Sequence, residues 1–228
     1  MFKKRSLENA NRKEIREYFV RYGDRITVGK ESAMCSPKLT DSYVYYLDKG
    51  IASLTSLTDD GEEKVCLYFK QDRILGFAPI LFRHFFGRTQ GHLSCGIEPK
   101  TACVFCHMGE NTFLRLMKED SAFSEYVMKN VSFTYVELVH KYCKFQENGA
   151  GRRFCDFLLE FSVEDGGKRY LPRTFTYVEI AKYLGIHPVT VSKIAGALKR
   201  RGAISKTGKG IEIVDAEDLL QAVEDELY

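Results

Sequence analysis

The densest chemistry in the sequence lies between Thr176 and Arg201, which reads TYVEIAKYLGIHPVTVSKIAGALKRR. Thr176 is followed three residues later by Glu179, the spacing of a capping box that starts a helix. Ile180, Ala181 and Leu184 form the buried side of that helix. Gly185 supplies a turn where positive φ costs little. His187 stands at the next N-cap and Pro188 at the first helical position, a place proline favours. Val191, Ile194, Ala195 and Leu198 make the buried stripe of the second helix, which leaves Val189, Thr190, Ser192, Lys193 and Lys199 outward or near its N-terminus. Two short helices joined by a tight glycine turn form a helix-turn-helix, whose second helix enters the major groove of DNA.

Charge points the same way. Residues 149–228 balance 12 Lys and Arg against 12 Asp and Glu, yet Lys182 to Lys209 holds seven basic residues and no acidic one. A local basic face in a neutral domain is a phosphate footprint, although alone it reads equally well as a solvated helix face. Beyond Gly202, Ala203 to Val214 reads as a hairpin wing with Lys206 and Lys209 near its tip. The expected DNA-binding set is Thr176, His187, Val189, Thr190, Ser192, Lys193, Lys199, Arg200, Lys206 and Lys209. Val189, Ser192 and Lys193 face base edges, while Thr190, Lys199 and Arg200 hold phosphates and set register without specifying sequence. The Val189 methyls suit the thymine C5-methyl, and Lys193 is a point donor without the fork that grips guanine bidentately. Double-stranded DNA with A/T-rich half-sites in an inverted repeat is the expected partner.

The elements that carry this segment follow from the texture upstream. Leu7 to Phe19 reads as a helix closed by Gly23. Tyr43 to Leu47, Ile51 to Thr58, Lys64 to Phe69 and Thr101 to His107 read as strands, with Asp59-Asp60-Gly61 as a hairpin turn. Several short strands at this spacing predict a β-sandwich or roll. Asn111 to Met117 reads as a short helix, and Asp120 or Ser121 caps a longer one. Along it Val127, Val131, Thr134, Leu138 and Phe145 fall at four- and three-residue steps, interrupted by Lys141. That stripe approaches a coiled-coil seam and predicts a homodimer joined along Val127, Val131, Thr134 and Leu138. The alternative is a long helix packed on its own domain. Asn148-Gly149-Ala150-Gly151 ends the helix and reads as a hinge. The fold class is therefore α+β: an effector-sensing β-roll over 1–118, a dimerisation helix and hinge over 119–148, and a winged helix-turn-helix over 149–228.

Composition excludes other classes. The chain has 228 residues, 34 Lys plus Arg against 31 Asp plus Glu, 44% apolar and 29% charged residues, as in an ordinary globular protein. No run of about 18 apolar residues exists to span a membrane. The basic start, Met1 to Ser6, is not followed by a signal core, so a cytoplasmic location is expected. Seven cysteines, at 35, 66, 95, 103, 106, 143 and 155, are odd in number and irregularly spaced, which predicts reduced thiols. Cys103-x-x-Cys106-His107 lies on a predicted strand, where Cys103 and His107 share one face and Cys106 points to the other. Buried apolar cysteine is the expectation, since zinc would need a second ligand pair. There is no phosphate-cradling glycine loop, paired catalytic carboxylate or nucleophile motif, so no enzyme is expected.

With these pieces in view, the chain resembles the superfamily of cyclic-AMP-receptor and fumarate-nitrate-reduction (CRP/FNR) transcription regulators of bacteria. The resemblance spans β-roll, long helix and winged helix-turn-helix. It rests most on Glu179-Ile180-Ala181-x-x-Leu184-Gly185-Ile186-His187-Pro188-Val189-Thr190-Val191-Ser192-Lys193 followed by Leu198 to Ile204. Weaker matches are Asp60 to Lys64, Lys100 to Cys103 and Gly151-Arg152. The His-x-Val-Thr-Val-Ser stretch looks most like the CprK type, in which an aromatic chlorinated acid is the effector. The resemblance implies a small-molecule effector bound between roll and long helix, with Phe77, Arg88, Tyr135 and Leu138 as lining, and RNA polymerase as a further partner. Cyclic-nucleotide members carry Gly-Glu and Arg-Ser in the roll, where this sequence has Gly76-Phe77 and Leu93-Ser94. Both the ribose carboxylate and the phosphate arginine are missing, so cyclic AMP is not the expected effector. Members of the cyclic-AMP group also place Arg and Glu where Pro188 and Val189 stand, so the G·C pair those residues read is not expected in the operator. No metal or cofactor is assigned. A haem sensor through His84, His92 or His107, or a thiol-based redox sensor of the same fold, is the alternative.

Overall fold

A computed structural model describes residues 12–30, 42–57, 63–87 and 95–224. The chain folds as two compact units, Met1–Glu137 and Leu138–Tyr228. The first holds helix α1 (Arg12–Tyr22), strands β1 (Asp24–Val28), β2 (Tyr43–Lys49), β3 (Ile51–Leu57), β4 (Glu63–Lys70) and β5 (Arg73–Leu75), and α2 (Phe77–Phe86). It continues with β6 (Cys95–Pro99), β7 (Cys103–Gly109), α3 (Glu110–Glu119) and the first part of the long α4 (Ser121–Glu147). Among the described residues its strands form two antiparallel sheets, ordered β1-β7-β2-β5 and β4-β3-β6. The hairpin expected around Asp59-Asp60-Gly61 is framed by β3 and β4, paired from Ile51↔Lys70 to Leu57↔Glu63. Its turn lies outside the described residues, as do residues 7–11 of the first expected helix.

Strands β2 and β7 are buried on both faces, which is why Tyr43 to Leu47 reads as an unbroken apolar run. Tyr45, Leu47, Cys103 and Phe105 join one core with Leu67, Phe69 and Ile97 of the other sheet. Val44, Tyr46, Cys106 and Met108 point the opposite way, into a second core with Phe19, Ile80, Phe113, Phe123 and Val127 of the helices. Cys103 and Cys106 thus sit in different cores, as strand alternation requires. Burial pushes both thiols above their ordinary value. Asp120 caps α4 by accepting from the Phe123 N–H at 3.0 Å.

The second unit begins within α4 and continues through α5 (Ala150–Phe161), β8 (Val163–Asp165), β9 (Lys168–Pro172), α6 (Tyr177–Leu184), α7 (Pro188–Arg201), β10 (Ile204–Thr207), β11 (Gly210–Ile213) and α8 (Ala216–Glu224). Its strands form one antiparallel sheet in the order β10-β11-β9-β8. Phe154, Phe157, Leu158 and Phe161 are buried along α5, as their spacing predicts. Phe157 and Phe161 pack against Phe175 and Tyr183. The boundary between the units falls inside α4, ahead of the expected hinge at Asn148 to Gly151.

Candidate nucleic-acid interface

The helix-turn-helix is built by local hydrogen bonds. Thr176 caps α6, its Oγ1 accepting from the Glu179 N–H at 3.2 Å. Gly185 ends α6 in the left-handed region, with φ 61°, where a side chain would be strained. His187 caps α7 through Nδ1, which accepts from the Val189 N–H at 3.2 Å, and Pro188 occupies the first turn. Val191, Ile194, Ala195, Ala197 and Leu198 are buried beneath α7. Val189, Ser192 and Lys193 are exposed on its outer face, and Lys199 and Arg200 are exposed nearer its end. The spacing 189, 192, 193 puts three side chains on one helical face.

The wing is the β10–β11 hairpin, paired from Ile204↔Ile213 to Thr207↔Gly210. Lys206 is exposed. The Lys209 ammonium is bonded to Asp165 of β8, and that hydrogen bond raises its pKa above the ordinary lysine value. Lys168 pairs with Glu212 at 2.7 Å and Arg201 with Asp218 at 3.2 Å. A phosphate reaching Lys209 would have to displace that carboxylate.

The long helix departs from the expected seam. Val127 is fully buried in the helix-covered core of its own chain, and Val131 packs against the same cluster. Thr134 Oγ1 donates to the Asn130 carbonyl and accepts from Arg73 at 2.8 Å each. The face predicted for a partner thus lies on the chain's own roll, because both faces of α4 carry apolar residues at helical spacing. Leu138 stays on the open side, 40% exposed, with Met128, Tyr135, Val139 and Tyr142.

Three residues that fix α4 to the roll escaped the sequence reading. Asn130, 7% exposed, pairs with both backbone groups of Ile74: Oδ1 accepts from N–H at 3.3 Å and Nδ2 donates to C=O at 3.0 Å. It thereby completes β5, an edge strand. Arg73 donates to Glu137 at 2.9 Å and lies over the rings of Phe69 and Phe133, 5.1 and 4.6 Å from their centroids. An asparagine on an apolar stripe was the one visible signal.

The expected effector residues differ in burial. Phe77 is buried among the core side chains, whereas Tyr135 is 67% exposed. Arg88 lies outside the described residues. His84 is exposed on α2, His107 stacks on Tyr45 beside Tyr43, and His92 lies outside the described residues. Among those residues no group of three or more His, Cys, Asp or Glu is arranged to hold a metal. No helix there is long and apolar enough to cross a membrane.

The architecture is a double sheet followed by a long helix and a winged helix-turn-helix. The family model of the Crp-like helix-turn-helix domain matches residues 152–222. Electron transport regulator A of Shewanella oneidensis is 22% identical over 180 residues, 77% of this chain and 69% of that protein. FixK2 from Bradyrhizobium japonicum shares the fold at a TM-score of 0.71 and 15% identity, over 87% of this chain and 96% of its own. A CprK structure in complex with OCPA matches at 0.63 and 17% identity, over 92% of this chain and 93% of its own. A CRP/FNR-family regulator from Thermus thermophilus matches at 0.64 and 20% identity, over 89% of this chain and 95% of its own. Residues 152–222 thus match a Crp-like helix-turn-helix domain, and the chain as a whole shares the fold of these regulators.

Proposed function

We propose that the protein is a cytoplasmic, homodimeric, effector-responsive regulator that reads an A/T-rich inverted repeat through α7. The observation that carries this is the capped α7, whose free face presents Val189, Ser192 and Lys193 between basic flanks. The valine and the single-point lysine favour thymine methyls over a bidentate guanine contact. The half-sites are loosely of the form TTAAT, and two such helices related by a two-fold axis place them about one helical turn apart.

Dimer formation runs along the open face of α4. Met128, Tyr135 and Tyr142 recur every seven residues there, with Leu138 and Val139 between them, which is the repeat of a two-helix seam. The sensing part is residues 1–118, the connecting helix 119–148 and the reader 149–228. A small effector other than cyclic AMP binds between the roll and α4. It shifts the reader only through unequal affinity for two arrangements of that helix.

Selection from randomised duplexes tests the reading. An A/T-rich palindrome is expected, with affinity falling steeply as salt rises. A G·C-rich or non-palindromic consensus would sink it.

A further inference from the structure

From Leu138 onward α4 belongs to the same compact unit as the helix-turn-helix, and a cluster of side chains binds its last turns there. The Lys141 ammonium lies 3.8 Å from the centroid of the Tyr183 ring and 5.3 Å from that of Phe145. The edge of the Phe145 ring stands 3.0 Å from where a Cβ on Gly185 would be, so the ring rests on the bare backbone of the turn. Arg153 of α5 lies over the same ring, 4.8 Å to its centroid, and its Nη1 donates to the Leu184 carbonyl at 2.9 Å. That carbonyl belongs to the last turn of α6, where a cation complements the helix dipole. Lys144 pairs with Asp156 of α5 at 3.3 Å.

The contacts of Lys141, Phe145 and Arg153 converge on Tyr183, Leu184 and Gly185, the residues that set the angle between α6 and α7. They also bridge the glycine-bearing segment Asn148 to Gly151 from both sides. A flexible joint needs few contacts across it. Here an ion pair, a stacked guanidinium and a ring on a backbone cross it. Arg153 is held at a cost, since its Nε is buried without a hydrogen-bond partner and desolvation lowers its pKa.

We propose that Lys141, Phe145 and Arg153 are positioning residues that fuse the end of α4 to the turn of the helix-turn-helix, so that α7 follows the helix as one body and Asn148 to Gly151 is not the joint. The proposal rests on the reading that two copies join along α4 and each reads half of an inverted repeat. In that arrangement a stiff link raises the effective concentration of the second head once the first is bound, without altering what either head touches. It also accounts for the lysine that interrupts the apolar series: Lys141 serves Tyr183, not the seam.

The test uses the full chain and two duplexes: the one that wild type selects from a random library, and the same duplex with one half scrambled. Wild type is expected to prefer the intact duplex by about tenfold or more. Phe145→Ala should keep its affinity for the half-scrambled duplex within about twofold, remain a dimer by sedimentation, and lose at least about fivefold of that preference. Phe145→Tyr, which keeps the ring, should retain the preference. If Phe145→Ala lacks a thermal unfolding transition, Lys141→Met replaces it, with a smaller loss of preference expected. An unchanged preference in the folded variant overturns the clamp while leaving the two-headed reading intact, and so does equal weakening on both duplexes. A wild type that is monomeric, or indifferent to the second half, overturns both together.

Discussion

The two halves of α4 are held by different chemistry. Up to Glu137 the helix is fixed by groups that water cannot replace: Val127 is fully buried and Asn130 completes the hydrogen bonds of Ile74. Beyond Leu138 it is held by a cation over a ring and an ion pair whose members are 50% and 20% exposed. Contacts of the second kind are worth about 0.5–1 kcal/mol each at exposed sites. The roll end is therefore locked by a few indispensable contacts. The reader end is aligned by several individually weak ones, a set that can be rearranged at modest cost.

The contrast can be broken at several strengths. Leu138→Glu on the open side places a charge in the proposed seam and should cost association several kcal/mol, about 3 or more. If that variant sediments as the same dimer as the parent, the seam lies elsewhere. Asn130→Ala strands a buried N–H and C=O of Ile74 and should lower stability by about 3 kcal/mol in urea titration. Val127→Ala opens a cavity in the roll's core and should cost about 2 kcal/mol of stability. Because its face is covered by the chain itself, its association should stay unchanged. Lys141→Met, in contrast, should lower stability by about 1 kcal/mol or less, and a loss equal to that of Asn130→Ala would erase the distinction between the halves.

Alkaline titration sharpens the reader side through a single thiol. Burial raises the Cys155 thiol to about 12 in the folded chain. An unfolded cysteine ionises near pH 8.5. Unfolding then releases a proton that folding retains, so the contribution is complete below about pH 8.5 and is lost as pH rises towards 12. Cys155→Val should flatten that part of the stability–pH curve, as followed by denaturation midpoints.

The helix-turn-helix was legible because each of its determinants is local. Thr176 meets Glu179, Gly185 takes the left-handed turn, and His187 with Pro188 opens α7, all within a few residues. Cys103 and Cys106 were separable for the same reason, since strand period two assigns their faces. The face of α4 was not legible. Two apolar stripes at helical spacing compete for the roll, and the choice is made by pairs such as Asn130 with Ile74 and Glu137 with Arg73, 56 and 64 residues apart in sequence. The packing of Phe77 was not legible either. This residue opens α2 after Gly76, and its ring turns into the core, which neither composition nor spacing encodes.

The Lys209–Asp165 pair bears on how the wing meets a polyanion. Tight binding to DNA draws much of its free energy from small cations set free as phosphates are neutralised. Lys209 arrives with its own anion attached through the fold. When a phosphate replaces that carboxylate, Asp165 stays beside the duplex and keeps a mobile cation near it. The wing tip can therefore press against the backbone while adding little to ion release. Asp165→Asn would convert it into an ordinary cationic contact, visible as a steeper dependence of affinity on salt by about one unit of slope.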